Sequence, residues 1–159
     1  MGRLRFILVG KPHSPELENL YEDYRKRLLK YADTKVEYAR EVKLPERPSP
    51  SQIQKALDDE AEAVLKTIGR TDCVIALDLK GTESDSETFA REFSKLSEQS
   101  ANLVFIVGSS YGISPRIRQR ADYLWRLSTL TFTHPLALLV SMEQVYRAFK
   151  INRGETYHK

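Results

Sequence analysis

Leu103 to Val107 reads LVFIV, an unbroken apolar run. A strand with one wet face alternates apolar and polar residues, so a run without alternation must be covered on both faces. Such cover comes from crossover helices, which lie on either side of a mostly parallel sheet. The rest of the chain follows the same grammar. Leu4 to Gly10 forms a strand, Ser14 caps a helix that starts with Pro15 and reaches Tyr31, and Lys35 to Val42 forms a second strand. KLPERPSPS, with three prolines, is loop, and Ser51 opens a helix whose Ile53, Leu57, Ala61, Val64, Leu65 and Ile68 keep helical spacing up to Gly69. Cys73 to Leu79 is a third strand, closed by Lys80-Gly81, and Ser84 with Glu87 has the form of a capping box for a helix to Gln99. After LVFIV come a short helix from Ser114-Pro115, a strand over Tyr123 to Leu127, and a last helix from His134-Pro135 to about Ile151. The expected fold is α/β, one domain over residues 1–159, with helices on both sheet faces.

Composition excludes several classes. No apolar run approaches the roughly 20 residues of a membrane helix. MGRLRFILVGK is too short for a signal peptide and reads as the first strand. Cys73, the single cysteine, forbids an internal disulfide, sits in the strand DCVIALDL as a structural thiol, and suits a reducing cytoplasm. A net charge of +3 is too weak to indicate nucleic acid by itself. The C-terminal end is locally basic, however: Arg126, Arg147, Lys150, Arg153 and Lys159 stand against Glu143 and Glu155, with Tyr146, Phe149, Tyr157 and His158 among them. Aromatic rings interleaved with cations suit RNA, whose bases stack and whose phosphates meet Lys and Arg. A solvated helix face with packed aromatics has the same pattern.

Ligands of parallel sheets sit beyond the carboxyl ends of the strands, which directs attention to the loops after Val9, Leu79, Val107 and Leu127. GKPHSP has neither the glycine spacing of a dinucleotide site nor a phosphate-loop GK[ST], and reads as a connection. Gly108 to Gly112 spells G-x-S-x-G, and Ser110, Asp122 and His134 follow the chain order of α/β-hydrolases. Against a serine esterase stand the three residues Ile113, Ser114 and Pro115 between the glycine and the helix, the lack of a glycine cluster for an oxyanion hole, and the short chain. His13, His134 and His158 are far apart and there is no cysteine pair, so no metal is expected. The stretch LSTLTFTHPL, Leu127 to Leu136, combines apolar anchors with many small hydrogen-bonding groups, as a ligand cradle needs.

LDLKG (Leu77–Gly81), VGSSYG (Val107–Gly112), LSTLTFTHP (Leu127–Pro135) and EQVYRAFKINRGETYHK, from Glu143 to the end, together resemble the RlmH-type methyltransferases of the SPOUT superfamily. These enzymes modify a pseudouridine of large-subunit (23S) ribosomal RNA. The likeness spans the chain, from the LVGK opening to the terminal YHK. It implies a C-terminal trefoil knot, which general rules of chain connection would not suggest. It also implies a homodimer and S-adenosylmethionine held by Leu77, Gly108 and the segment Leu127, Ser128, Thr129, Leu130, Thr131 and Phe132. The implied reaction is methylation at N3 of a pseudouridine in a stem-loop at the ribosomal subunit interface, in the assembled ribosome or large subunit; the alternatives are the serine esterase above and a non-catalytic ribosome- or RNA-binding member of the family.

Methyl transfer needs alignment and exclusion of solvent, and the N3 proton must leave. Tyr157 and His158 are candidates for substrate contact, and His134, at the cradle's edge, is a candidate base or a structural residue. Arg147, Lys150 and Arg153 are candidate phosphate contacts, or helix-end charges favourable to the dipole. Leu136, Leu138, Leu139, Val140, Met142 and Val145 leave the last helix almost no polar face, so a partner subunit is expected to help cover it. Glu143 on that helix needs a hydrogen-bonding partner if buried. Two positions depart from the family pattern. Ser109 replaces the second glycine of GG-x-x-G, which matters if that residue needs positive φ or faces the cofactor. Leu138 stands where an arginine is common, four residues after the histidine.

Overall fold

A computed structural model describes residues 2–159. Strands and helices alternate throughout: β1 (Gly2–Val9), α1 (Pro15–Leu28), β2 (Ala32–Ala39), α2 (Pro50–Leu65), β3 (Cys73–Thr82), α3 (Ser86–Gln99), β4 (Asn102–Val107), α4 (Pro115–Arg120), β5 (Tyr123–Trp125) and α5 (His134–Asn152). The five strands form one sheet in the order β2-β1-β4-β3-β5, with every neighbouring pair parallel. The apolar run that demanded this architecture is β4 at its centre. Leu103 to Val107 are each at most 3% exposed, and burying each large side chain of this kind contributes roughly 1.5–3 kcal/mol.

Alternate strand residues face opposite layers. Phe6, Ile75 and Phe105 meet Tyr21 of α1, Phe89 and Phe93 of α3, and Leu138 and Met142 of α5. Ile7, Val74 and Ile106 meet Ala61 and Val64 of α2 and Ile117 of α4. On the first face Phe6 stacks on Phe105 at 4.7 Å between ring centroids, and Phe89 stacks on Trp125 at 3.9 Å.

Several element ends differ from the sequence expectation, each for a local reason. α2 is capped by Ser49, not Ser51. Proline disfavours the helical conformation in the residue before it, so Ser49 stays extended, and its hydroxyl accepts from Gln52 N–H while Gln52 Oε1 accepts from Ser49 N–H. α3 is capped by Asp85, whose carboxylate accepts from Thr88 N–H at 2.7 Å; the Ser84 hydroxyl is buried without a partner. β2 starts and ends three residues earlier than read, because its register on β1 pairs Gly2 with Ala32 and Val9 with Ala39. β3 continues past Lys80 to Thr82, with an irregular register against Trp125 of β5, which itself ends before Leu127. Gly81 is required there. A Cβ on it would lie 2.6 Å from the carbonyl carbon and oxygen of Leu124.

α5 returns from the β5 edge to the middle of the sheet. It buries Leu138, Ser141, Met142, Val145, Tyr146 and Ala148, but Leu136 stays 39% exposed and Leu139 and Val140 are half-buried. All five carboxyl strand ends lie on one edge. β1 and β4 are neighbours there, yet β1 leads to α1 on one face and β4 to α4 on the other. A crevice at such a switch point is where parallel sheets take ligands.

Candidate functional site

Two hollows flank this edge. The larger, about 750 Å³, lies between the ends of β1, β2 and β4 and the side of α2, with Gly10, Tyr38, Arg40, Lys43, Glu60 and Tyr111 in its wall. The smaller, about 470 Å³, lies between the start of α3, β5 and α5. Trp125, Leu127, Phe132 and Phe89 give the smaller hollow apolar walls, and Ser84 and His158 also line it. Apolar walls beside a buried hydroxyl that has no partner suit a flat heteroaromatic group with a hydrogen-bonding edge.

The expected cradle is divided. Leu127 and Phe132 face the smaller hollow, whereas Thr129, Leu130 and Thr131 are exposed, Leu130 at 69%. Between them the chain makes a tight turn: the Ser128 hydroxyl accepts from Leu130 N–H at 3.0 Å, and the Ser128 carbonyl accepts from Arg126 Nε at 3.2 Å. Leu77, half-buried on β3, pairs with Trp125 and backs this region. Gly108 is buried at the end of β4, where a Cβ would stand 2.2 Å from the Gly112 carbonyl oxygen and 2.7 Å from Ile113 Cγ2. The loop therefore folds onto Gly108 itself. Ser109 has no left-handed backbone, so its side chain is not strained there; it is buried, bridges to Gly112, and lines the larger hollow. Leu138 is fully buried in the core, where an arginine's charge would need a partner.

His134 begins α5, and Thr133 ahead of it makes no side-chain cap. Burial holds the imidazole below its ordinary pKa, opposed by the nearby Glu41 carboxylate, so it is neutral near pH 7. Ser110 is exposed, and Asp122 is engaged elsewhere, accepting from Val74 N–H at 2.7 Å and from Arg120 at 3.2 Å. No hydrogen bond joins Ser110, Asp122 and His134 among the described residues, and the esterase arrangement is not assembled. Burial pushes the Cys73 thiol up to about 11, which makes it inert. Among the described residues no three His, Cys, Asp or Glu side chains group as metal ligands.

The tail folds back on α5 around Glu143. That carboxylate accepts from Arg147 at 2.5 Å, from the Tyr157 hydroxyl at 3.1 Å and from Gln144 at 2.8 Å. The partner that Glu143 needed is thus supplied three times. Arg147 lies over the Tyr157 ring at 4.7 Å and reaches His158 Nδ1 at 3.2 Å. Burial, and then Glu143, push the Tyr157 hydroxyl up to about 12, so it stays protonated and donates. Lys150 is paired with Glu155 at 2.7 Å. Arg153 lies 4.6 Å over the Tyr31 ring and has no ion pair among the described residues.

Two of the four loops singled out in the sequence, those after Val9 and Val107, line the larger hollow. GKPHSP was read as a connection, and the end of β2 was not among the loops to search. Glu60 had a legible signal, since it stands one helical turn from buried Ala56 and from buried Val64, where a charge is costly.

The chain is similar to known proteins over its whole length. A family model described as a predicted SPOUT methyltransferase matches residues 3–158. The ribosomal RNA large subunit methyltransferase H of Desulfitobacterium hafniense is 39% identical over 160 residues, covering 100% of both chains. Proteins of the same name from Streptococcus agalactiae and Halothermothrix orenii are 37% and 35% identical, each with 99% of both chains covered. A probable methyltransferase from Bordetella pertussis shares the fold, with a TM-score of 0.56 at 16% identity, covering 92% of this chain and 94% of that one.

Proposed function

This chain belongs to the SPOUT methyltransferase family, and we propose that it methylates N3 of a pseudouridine in a stem-loop of large-subunit ribosomal RNA at the subunit interface. It is an S-adenosylmethionine-dependent ribosomal RNA methyltransferase. The carrying observation is the shared wall of the smaller hollow. Leu127 and Phe132, from the cradle stretch, and His158, from the tail, are distant in sequence yet line one cavity.

The residues assigned to hold the cofactor are Leu77, Gly108 and Leu127 to Phe132. Apolar walls and the free Ser84 hydroxyl support that assignment. S-adenosylmethionine, when bound, supplies an activated methyl group. The chain's own task is to orient the base, keep water out and receive a proton. His134, held neutral by burial, is the proton acceptor we assign. Tyr157 and His158, the latter at the edge of the smaller hollow, are the residues we assign to contact with the substrate RNA. Arg153 has no carboxylate partner among the described residues and can meet a phosphate, whereas Arg147 and Lys150 must first give up Glu143 and Glu155.

The chain acts as one domain over 1–159 and as a homodimer in the cytoplasm. The half-open face of α5 at Leu136, Leu139 and Val140 supports a partner subunit. No helix is long and apolar enough to cross a membrane among the described residues. The return of the chain from β5, outside β3, to the sheet centre supports the family's knot.

Calorimetric titration with S-adenosylmethionine should show saturable binding, competed by S-adenosylhomocysteine. Ribosomes lacking the modification should then gain one methyl group, mapped by mass spectrometry to N3 of a pseudouridine. Binding without methylation of such ribosomes would sink the substrate assignment. Absence of binding, if restored by Ser109→Gly, would mark the missing glycine as the defect.

A further inference from the structure

Nothing assigned so far uses the larger hollow. Its floor is Glu60, 4% exposed. Carboxylate oxygen Oε2 accepts from Val42 N–H at 2.9 Å, and the buried Ser109 lines the same hollow. No cation pairs with Glu60 among the described residues. Burial raises its pKa, an effect opposed by the Val42 N–H, which donates to the charged form. Tyr38 and Tyr111 stand in the wall, 39% and 47% exposed. Arg40 and Lys43 stand at the mouth, exposed and without an ion pair among the described residues.

Exposed rings, unpaired cations and a buried acceptor answer the three parts of a nucleotide: stacking base, phosphate and base edge. The position also fits. The hollow includes Ser109, beside Gly108, and Glu41, whose charge acts on His134. Leu127 and Phe132 line the smaller hollow, and Glu41 of the larger hollow acts electrostatically on His134, two residues beyond Phe132.

The floor selects among bases. A carboxylate accepts, so the base must present a ring N–H. Uridine has one, at N3, which is the methylation site. Pseudouridine is joined to its ribose through C5 and therefore keeps a second ring donor, N1–H. Resting on the pseudouridine assignment above, we infer that the larger hollow receives the target nucleotide turned out of its stack. Within it, Glu60 accepts the N1–H and so selects pseudouridine over uridine.

Glu60→Gln tests this directly. The variant's carbonyl oxygen can keep the Val42 bond, which leaves an amide N–H facing a ring N–H, a repulsive pairing. Initial methylation rates are compared on ribosomes carrying pseudouridine or uridine at the target, the latter from cells lacking the synthase that makes it. The wild type should prefer pseudouridine. Glu60→Gln should lose about 10- to 100-fold in kcat/KM on pseudouridine ribosomes and little on uridine ribosomes. S-adenosylmethionine binding should be unchanged. Equal losses on both substrates, or an unchanged preference, would overturn the role of Glu60. If the wild type binds the cofactor but methylates neither substrate, the substrate assignment falls and takes this inference with it. Should Glu60→Gln not fold, Tyr111→Ala reads the hollow alone. It should raise KM for ribosomes several-fold or more, and an unchanged KM overturns the inference.

Discussion

Two groups of cations can be set side by side. The C-terminal group, Arg147, Lys150 and Arg153, is dense in sequence, among aromatic residues. In the folded chain two of its three charges are spent on Glu143 and Glu155, at 2.5 and 2.7 Å. The group at the larger hollow, Arg40 and Lys43, has the same three-residue spacing and lies at the start of the proline-rich loop. In the folded chain it is unpaired among the described residues. Charge density along a chain therefore misleads about charge available to a ligand. The tail's cations chiefly hold the tail, and the hollow's are open to phosphate.

The largest effect should come from breaking the tail's hub. Glu143→Ala leaves the Arg147 guanidinium and the Tyr157 hydroxyl without their acceptor, and should cost roughly 1.5–3 kcal/mol in urea unfolding. It should also bring the Tyr157 pKa, now about 12, partway back toward its ordinary value, because the carboxylate is the second cause of the rise after burial. An unmoved Tyr157 titration would show that the hub does not form.

Next comes the open pair. Replacing Arg40 and Lys43 together with alanine should weaken RNA binding about tenfold at low salt and flatten the salt dependence by about 0.7–0.9 per cation removed. By contrast, Lys150→Ala should change RNA affinity less than about twofold, since its charge is already met by Glu155. If Lys150→Ala proves the more damaging, the contrast between the two groups is wrong.

The smallest effect is a pH dependence. The folded-state pKa of Glu60 is raised by burial. The stability it contributes is therefore present below the unfolded carboxylate pKa and lost as pH rises through the folded value. Glu60→Gln carries no such titration. Its melting temperature should gain on the wild type as pH rises from about 4 to about 8, and a pH-independent difference would contradict the buried charge.

The fold was legible because its signals are local. LVFIV demanded cover on both faces, and Pro15, Pro115 and Pro135 each stand at the start of a helix. What escaped was set by pairing across the sheet: β2 was shifted by its register on β1, and β3 was extended toward β5. The site was legible in part. Leu127, Phe132 and His158 do meet, but Thr129 to Thr131 turn outward, a choice made by the Ser128 turn. Glu60 and its hollow escaped because three strand ends and a helix build it, and only the folded chain brings these together.

β1 has one consequence for how the molecule is made. It precedes the other four strands in chain order, and it lies inside the sheet between β2 and β4. Its β4 edge waits for the stretch from Asn102 to Val107, which pairs with Arg3 to Leu8. Until then the nascent chain carries an open strand edge, the kind that recruits other strands, and contacts so far apart in sequence form slowly. The sheet therefore closes only after β2 and β3 have followed β1 in the chain. The tail follows all five strands in chain order, so a chain cut before Tyr157 would still carry a finished sheet.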